Sequence, residues 1–339
     1  MQQWSFNIQQ RLAKDTVLEV GYVGSKGTHL LGIVDVNQAR PGAALAAGLK
    51  TVTAAAPDAT IFTTTDTPRI NAVRPFLGFT SINTLATAFD SNYHSLQTSF
   101  RKNFRAAGLF NLAYTWSKNL TDNGSDRSNA PQNSYNWHNG EYGPYGGDRK
   151  HVLSMNYVYT LPIFKDSHGI VAAVLKGWQF SGILAFQTGA AFTAATSGLD
   201  PAGLGLLGTS AASSRPDMVC DPNANAPKQF AGAPSAASPV WFNTACFQPV
   251  PQGAVRPGNA GRGTIRGPGF SNWDGSMMKN FTLVHDNRAT LQLRLETFNT
   301  LNLVNPNGIS STNITSTTFG VISSYRAPRR VQLAAKIYF

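Results

Sequence analysis

Hydrophobic and polar positions alternate with a period of two at intervals along the whole 339-residue chain. The last segment, PRRVQLAAKIYF (328–339), is the clearest case. Val331, Leu333, Ala335, Ile337 and Phe339 share one parity; Arg330, Gln332, Ala334, Lys336 and Tyr338 share the other. Successive side chains of a strand point to opposite faces, so this pattern predicts one greasy face and one polar face. Equivalent stripes run through Trp4, Phe6, Ile8 and Leu12, and through Thr16, Leu18, Val20 and Tyr22. Others are His94, Leu96, Thr98 and Phe100; Phe110, Leu112, Tyr114 and Trp116; and Leu153, Met155, Tyr157, Tyr159 and Leu161. Trp178 to Phe186, Trp273 with Met277 and Phe281, and Leu291, Leu293 and Leu295 complete a set of nine strands. Each is near the roughly 9–11 residues that a tilted strand needs to cross a bilayer.

The connections alternate in length as well. Short links fall around residues 12–15, 102–107, 162–176 and 284–288, and long ones around 25–91, 119–149, 188–271 and 303–327. Placing the carboxy terminus in the periplasm puts every short link on that side and every long one outside, the arrangement of outer-membrane barrels. Phe79 to Ala86 would break the parity as a separate crossing and reads instead as an extension leading into the strand at residue 92. Trp4, Trp116, Trp178, Trp273 and Tyr338 near strand ends suit interfacial girdles. The aromatic final residue, Phe339, is typical of bacterial barrels, and with Tyr338 it forms a candidate assembly signal. The predicted fold is all-β: a partial transmembrane antiparallel barrel spanning residues 1–339. An amphipathic soluble sheet is the competing reading of any single segment, but structureless loops beyond ~15 residues are uncommon in compact soluble domains.

Composition supports the barrel. Charged residues are 13% of the chain, about half the usual share. No apolar run approaches the ~18 residues of a membrane helix. The net charge of +11 raises nucleic acid as a partner. The basic residues are dispersed, however, several of them at strand ends (Arg11, Lys14, Arg101, Lys102, Arg105, Lys165, Lys176, Arg288), and no nucleic-acid-binding motif accompanies them. Nucleic acid is set aside. Cys220 and Cys246 lie in one loop-like region rich in Pro, Ala and Asn, which favours a disulfide in an oxidising compartment over two buried thiols. The amino terminus lacks a signal peptide and opens inside a strand, and the strand count is odd. Both features suggest the C-terminal part of a larger barrel.

Eight ordered blocks resemble a known family: WSFNIQQRLAKDTVLEVGYVGSKGTHL (4–30), SNYHSLQTSFRKNF (91–104), FNLAYTWSKNLTD (110–122), GDRKHVLSMNYVYTLPIF (147–164), GWQFSGILAFQTGAAFT (177–193), GNAGRGTIRGPGFSNWDGSMMKNF (258–281), LQLRLETFNTLNLVNP (291–306) and RRVQLAAKIYF (329–339). They are similar to the C-terminal barrel of Oar-like TonB-dependent transporters of acidobacterial type, which usually carry an N-terminal carboxypeptidase-regulatory-like domain and a plug. The resemblance implies a Gram-negative outer-membrane location and a barrel wall whose external loops meet a substrate, whether carbohydrate, peptide or metal chelate. It also implies contact with lipid and with the barrel-assembly machinery, and coupling to TonB through the N-terminal part that this chain lacks. The alternatives are an outer-membrane adhesion or binding protein without transport, and a soluble secreted β-rich carbohydrate-binding module.

No catalytic constellation emerges, so neither enzyme activity nor a cofactor is expected. His138 with Glu141, and Asp122, Asn123 and Asp126 in TDNGSD, faintly resemble metal sites, but polar loop contacts explain them and no metal is expected. The glycine-rich segment 258–269 carries Arg262 and Arg266 and has backbone donors for an anion, yet it lacks the strand-to-helix setting of a nucleotide loop. Arg294 and Glu296, with Arg330 and Lys336 on the last strand, are predicted to face the lumen, where they form a cross-strand charge ladder or, as the alternative, line a path or hold a plug.

Overall fold

The computed structural model describes residues 1–49, 66–123, 130–136, 138–163, 169, 174–206, 214–229, 239–251, 254–284 and 289–339. Nine long strands follow one another in a single antiparallel sheet, in the order of the chain. They are β1 (Gln2–Ala13), β2 (Thr16–Asp35), β3 (Asn83–Asn103), β4 (Gly108–Thr121), β5 (His151–Thr160), β6 (Gln179–Gln187), β7 (Phe270–Val284), β8 (Ala289–Phe298) and β9 (Arg330–Tyr338). Each pairs with the next, so the sheet is an up-and-down meander that is open between β1 and β9. This is the partial barrel wall that the alternation predicts. Among the described residues no helix is long and apolar enough to cross a membrane.

Register turns the separate stripes into one continuous surface. One row reads Ile8, Val20, Thr98, Tyr114, Leu153 and Phe186 across six strands. The next reads Leu18, Phe100, Leu112, Met155, Leu184 and Trp273. Toward the other edge, Phe180, Met277, Leu295 and Leu333 stand side by side. The intervening rows carry Gln97 opposite Thr115, Asn111 opposite Asn156, and Ser181 opposite Ser276. Because the side-chain period is two, a one-residue slip in any pairing would exchange these faces, so the apolar belt itself holds the register.

The two short connections nearest the amino terminus are tight, whereas most of 162–176 and of 284–288 lies outside the described residues. Lys14 and Asp15 join β1 to β2, and Asp15 adopts a φ of 65°, a left-handed conformation that Asp tolerates better than most residues. Arg105 in the neighbouring turn reaches Asp15 at 3.1 Å and ties the two turns together. Gly108 opens β4 with φ 139°, and a Cβ there would lie 1.9 Å from the Val158 carbonyl oxygen, so the approach of β5 requires glycine.

The first long connection begins later than the sequence suggests, and the last begins earlier, at residue 299 rather than 303. β2 continues to Asp35 and β3 begins at Asn83, leaving 36–82 rather than 25–91 as the connection. The extension includes 79–86 only in part, since its strand pairing starts at Asn83 opposite Asp35. Register shifts between Gly27, Leu30 and Leu31, with His29 at φ 55°, mark a bulge where the pair leaves the regular wall. Small-residue spacing hid this extension, because Gly24, Ser25, Gly27 and Thr28 carry little hydrophobic signal.

Candidate functional site

All four long connections emerge at one end of the sheet and fold against each other as a cap. Its interior has apolar clusters of its own. Ala130, Ala202, Leu204 and Leu206 pack with Ile33 from β2, and Ala194, Phe242, Phe247, Ala260 and Ile265 form a second cluster. Two-residue pairings brace the largest connection: Ala191–Phe192 with Ile265–Arg266, and Asp217–Met218 with Phe247–Gln248. The aromatic trio Phe242, Phe247 and Phe319 meets edge to face at centroid separations of 5.2 to 5.9 Å.

Polar side chains stitch the connections together. Gln38 donates to the Gln132 carbonyl at 3.1 Å and accepts from the Ser134 N–H at 2.6 Å. Gln132 in turn donates to the Gly258 carbonyl at 2.9 Å and accepts from the Arg215 N–H at 3.0 Å. Arg74 is buried, donates to the carbonyls of Asn37 (2.7 Å) and Gly205 (2.9 Å), and lies 3.5 Å from Asp35. Ala195 donates to Thr312 at 2.9 Å, bringing in the last connection. Asp200 accepts the N–H groups of Leu204, Gly205 and Leu206. Its burial pushes its carboxyl up, while those three bonds and Arg74 oppose the shift.

Glu141 forms the charged centre of the cap. Its carboxylate accepts from Arg215, from Arg262 at 2.9 Å and from the Gln132 N–H at 2.9 Å. Nearby, Asp217 receives two bonds of 2.7 Å from Arg256 and one of 3.0 Å from the Asn259 N–H. The Arg256 pairing is the main reason its carboxyl lies below the usual range. A polar cleft of about 290 Å³ opens beside this centre, lined by Asn133, Asn136, Gly140, Arg215, Gly258 and Asn259. Amide side chains and backbone groups there can form directional hydrogen bonds with a polar ligand, while the Arg215 guanidinium is held by Glu141 and by the Gly140 and Ala260 carbonyls. A larger groove of about 910 Å³ lies at the cap end of the apolar face, lined by Tyr22, Leu96, Trp116, Lys118, Lys150 and Arg266.

The residues singled out in the sequence fall in several places. Cys220 and Cys246 form a disulfide with Cα atoms 4.9 Å apart. Cys246 is fully buried beside the Phe242–Phe247 cluster, whereas Cys220 and its neighbours Val219 and Asp221 are exposed, so the bond ties a surface segment to the cap core. Arg262 and Arg266 do not leave their guanidinium groups free for an anion, because Glu141 takes the first and Asp148, 2.7 Å away, takes the second. Glu141 is therefore no partner for His138, which sits 3.3 Å from Asp122 instead. Asp126 lies outside the described residues.

On the polar face, Arg294 pairs with Glu296 at 3.2 Å within β8. Across the ladder Arg294 faces Ala334 and Glu296 faces Gln332, so the predicted cross-strand charge ladder does not form: the register puts no charge opposite either group. Lys336 stands opposite Gln292 with its ammonium 4.6 Å from the Tyr338 ring centroid. Arg330 lines a cleft with Asn272, Asp274 and Arg326. Tyr338 ends β9, and Phe339 beyond it is fully exposed. Arg74, Asp200, Arg215, Asp217 and Arg256 were invisible to sequence reasoning. Their partners lie far along the chain, and no local spacing marks them.

A comparison with curated proteins finds no significant match. Among solved structures, the chain resembles the outer membrane transporter YddB from Escherichia coli with a TM-score of 0.47 and 11% identity, over 99% of this chain and 32% of that one. FpvA of P. aeruginosa, solved bound to heterologous pyoverdines, gives a TM-score of 0.38 at 9% identity, over 99% of this chain and 27% of that one. The chain thus spans about a third or less of the length of these structures. The model of one protein family, described as an outer membrane beta barrel domain, matches residues 1–332. With nine strands in register and that match over nearly its full length, the chain belongs to the outer membrane beta-barrel domain family and is a protein of the outer membrane.

Proposed function

We propose that the chain is the barrel wall and substrate-facing loop region of a TonB-dependent-type transporter of the Oar-like kind. The cap carries this reading: four connections distant in sequence fold into one cross-bonded surface above the wall, with a polar cleft at its centre. The eight ordered blocks that resemble the Oar-like barrel give the reading its family. In this account the cap meets the substrate outside the cell, and Arg294, Glu296, Arg330 and Lys336 face the lumen. Energy from the inner membrane arrives through TonB, acting on a plug inside the barrel. Tyr338 and Phe339 are assigned to recognition by the barrel-assembly machinery. The work is capture and passage; no bond of the substrate is made or broken. A soluble secreted module is set aside, because the family is one of the outer membrane.

Disruption of the gene in its own host tests the reading. Uptake of labelled maltodextrins, oligopeptides and ferric chelates is measured with and without a protonophore. Loss of one class of uptake, of the same size as the loss the protonophore causes in the parent strain, supports transport. Loss of surface binding with every uptake rate intact supports the adhesion alternative and overturns it.

A further inference from the structure

At the junction of wall and cap, three elements bring together groups that ligate metals. Asp90 lies on β3, Asp122 follows β4 directly, and His138 opens the helical turn His138–Glu141. One ligand atom from each lies within 4.8 Å of the others. The Asp122 side chain is fully buried, whereas His138 is 63% exposed, with its Nδ1 3.3 Å from Asp122 Oδ2. The Asp90 N–H donates to Asp122 Oδ1 at 2.7 Å and fixes that carboxylate in place. The His138 ring stacks on Tyr142 at a centroid distance of 5.5 Å.

Two features of this cluster call for a cation. Among the described residues neither Asp90 nor Asp122 pairs with a lysine or arginine, and the one basic side chain they place beside the buried Asp122 carboxylate is His138. A buried charge left in this state is costly. The second feature is Asn92, two residues along β3 from Asp90. Its side chain hydrogen-bonds the Tyr142 hydroxyl, yet its Oδ1 is buried with no hydrogen-bond partner.

We propose that Asp90, Asp122 and His138 bind a divalent transition-metal ion of the Zn²⁺ type, with Asn92 Oδ1 available as a further oxygen donor. An imidazole nitrogen among carboxylates suits such an ion, whereas Ca²⁺ and Mg²⁺ favour all-oxygen sets. The ion neutralises the paired carboxylates and pins the connection after β4, which carries Glu141, onto β3. The site is a staple of the cap and holds whether or not the protein transports anything.

The test uses the full-length protein, purified in detergent from outer membranes and stripped with a chelator. Zn²⁺ is titrated calorimetrically, bound metal is counted, and Ca²⁺ is run in parallel. One Zn²⁺ per chain is expected, together with slower proteolysis of residues 130–148. Asp90→Asn should weaken binding by no less than the ~10-fold typical of losing an outer-sphere metal partner. His138→Ala should do the same, and because His138 is largely exposed this variant keeps the fold. Circular dichroism of both variants confirms the comparison. The proposal is overturned if no stoichiometric Zn²⁺ binds, if both folded variants bind as the parent does, or if Ca²⁺ binds there and Zn²⁺ does not compete.

Discussion

Arg215 donates to Glu141 across 74 positions of sequence, and both side chains are almost fully excluded from solvent. Arg262 shares the same carboxylate, so one anion serves two cations inside the cap. Removing one partner of a buried ion pair leaves an uncompensated charge and costs about 3–5 kcal/mol. Glu141→Ala should therefore loosen the cap while sparing the wall. Hydrogen exchange checks this: protection should fall around residues 130–148 and 254–266 and persist in β4 and β5. Equal loss in both regions would show that the cap is not a separate unit of stability.

Asp217 gives a pH dependence of definite sign. Its folded pKa lies below the ordinary value because Arg256 hydrogen-bonds the ionised form. A depressed carboxyl stabilises the fold at pH above the unfolded value near ~3.9, and the contribution fades as pH falls through the lower folded value. Protection of residues 214–229 should exceed that of Asp217→Asn at neutral pH. The difference should vanish in strong acid. A difference that grows on acidification would contradict the pairing.

Cys220→Ser opens a loop of 26 residues. Chain-entropy arguments put the loss at ~3 kcal/mol for a loop of this size. The effect should appear as faster proteolysis near Trp241 to Phe247, with no change in the amount of protein reaching the outer membrane. A fall in outer-membrane level would instead make the disulfide part of assembly.

Phe339 makes no packing contact that would account for an aromatic at the terminus, being fully exposed. Phe339→Asp should therefore lower the outer-membrane level of the full-length protein while leaving its stability, once inserted, unchanged. Normal levels of that variant would remove the assembly role.

The wall was legible in the sequence because each strand writes its two faces into alternate residues. Leu112, Tyr114 and Trp116 against Asn111, Ala113 and Thr115 are enough to place β4, and the register that joins it to β3 and β5 follows from matching those faces. The cap was not legible. Gln38, Gln132 and Arg215 have no spacing that predicts their bonds, because closing loops of ~80–100 residues depends on the whole fold and not on local pattern. The charge ladder between β8 and β9 failed for a related reason: parity puts Arg294, Glu296, Arg330 and Lys336 on one face, but only the register decides which of them are neighbours.

The orientation of the two faces is the centre of the account, and a cysteine scan along β4 tests it most directly. Single cysteines at Asn111, Leu112, Ala113, Tyr114 and Thr115 are labelled with an environment-sensitive fluorophore in the full-length protein reconstituted in bilayers, with the unsubstituted protein as the labelling blank; Cys220 and Cys246 are bonded to each other and do not react. A quencher confined to the acyl chains should quench labels at Leu112 and Tyr114, and a water-soluble quencher should quench those at Asn111, Ala113 and Thr115. Quenching that fails to alternate, or that alternates with the opposite parity, would contradict the account.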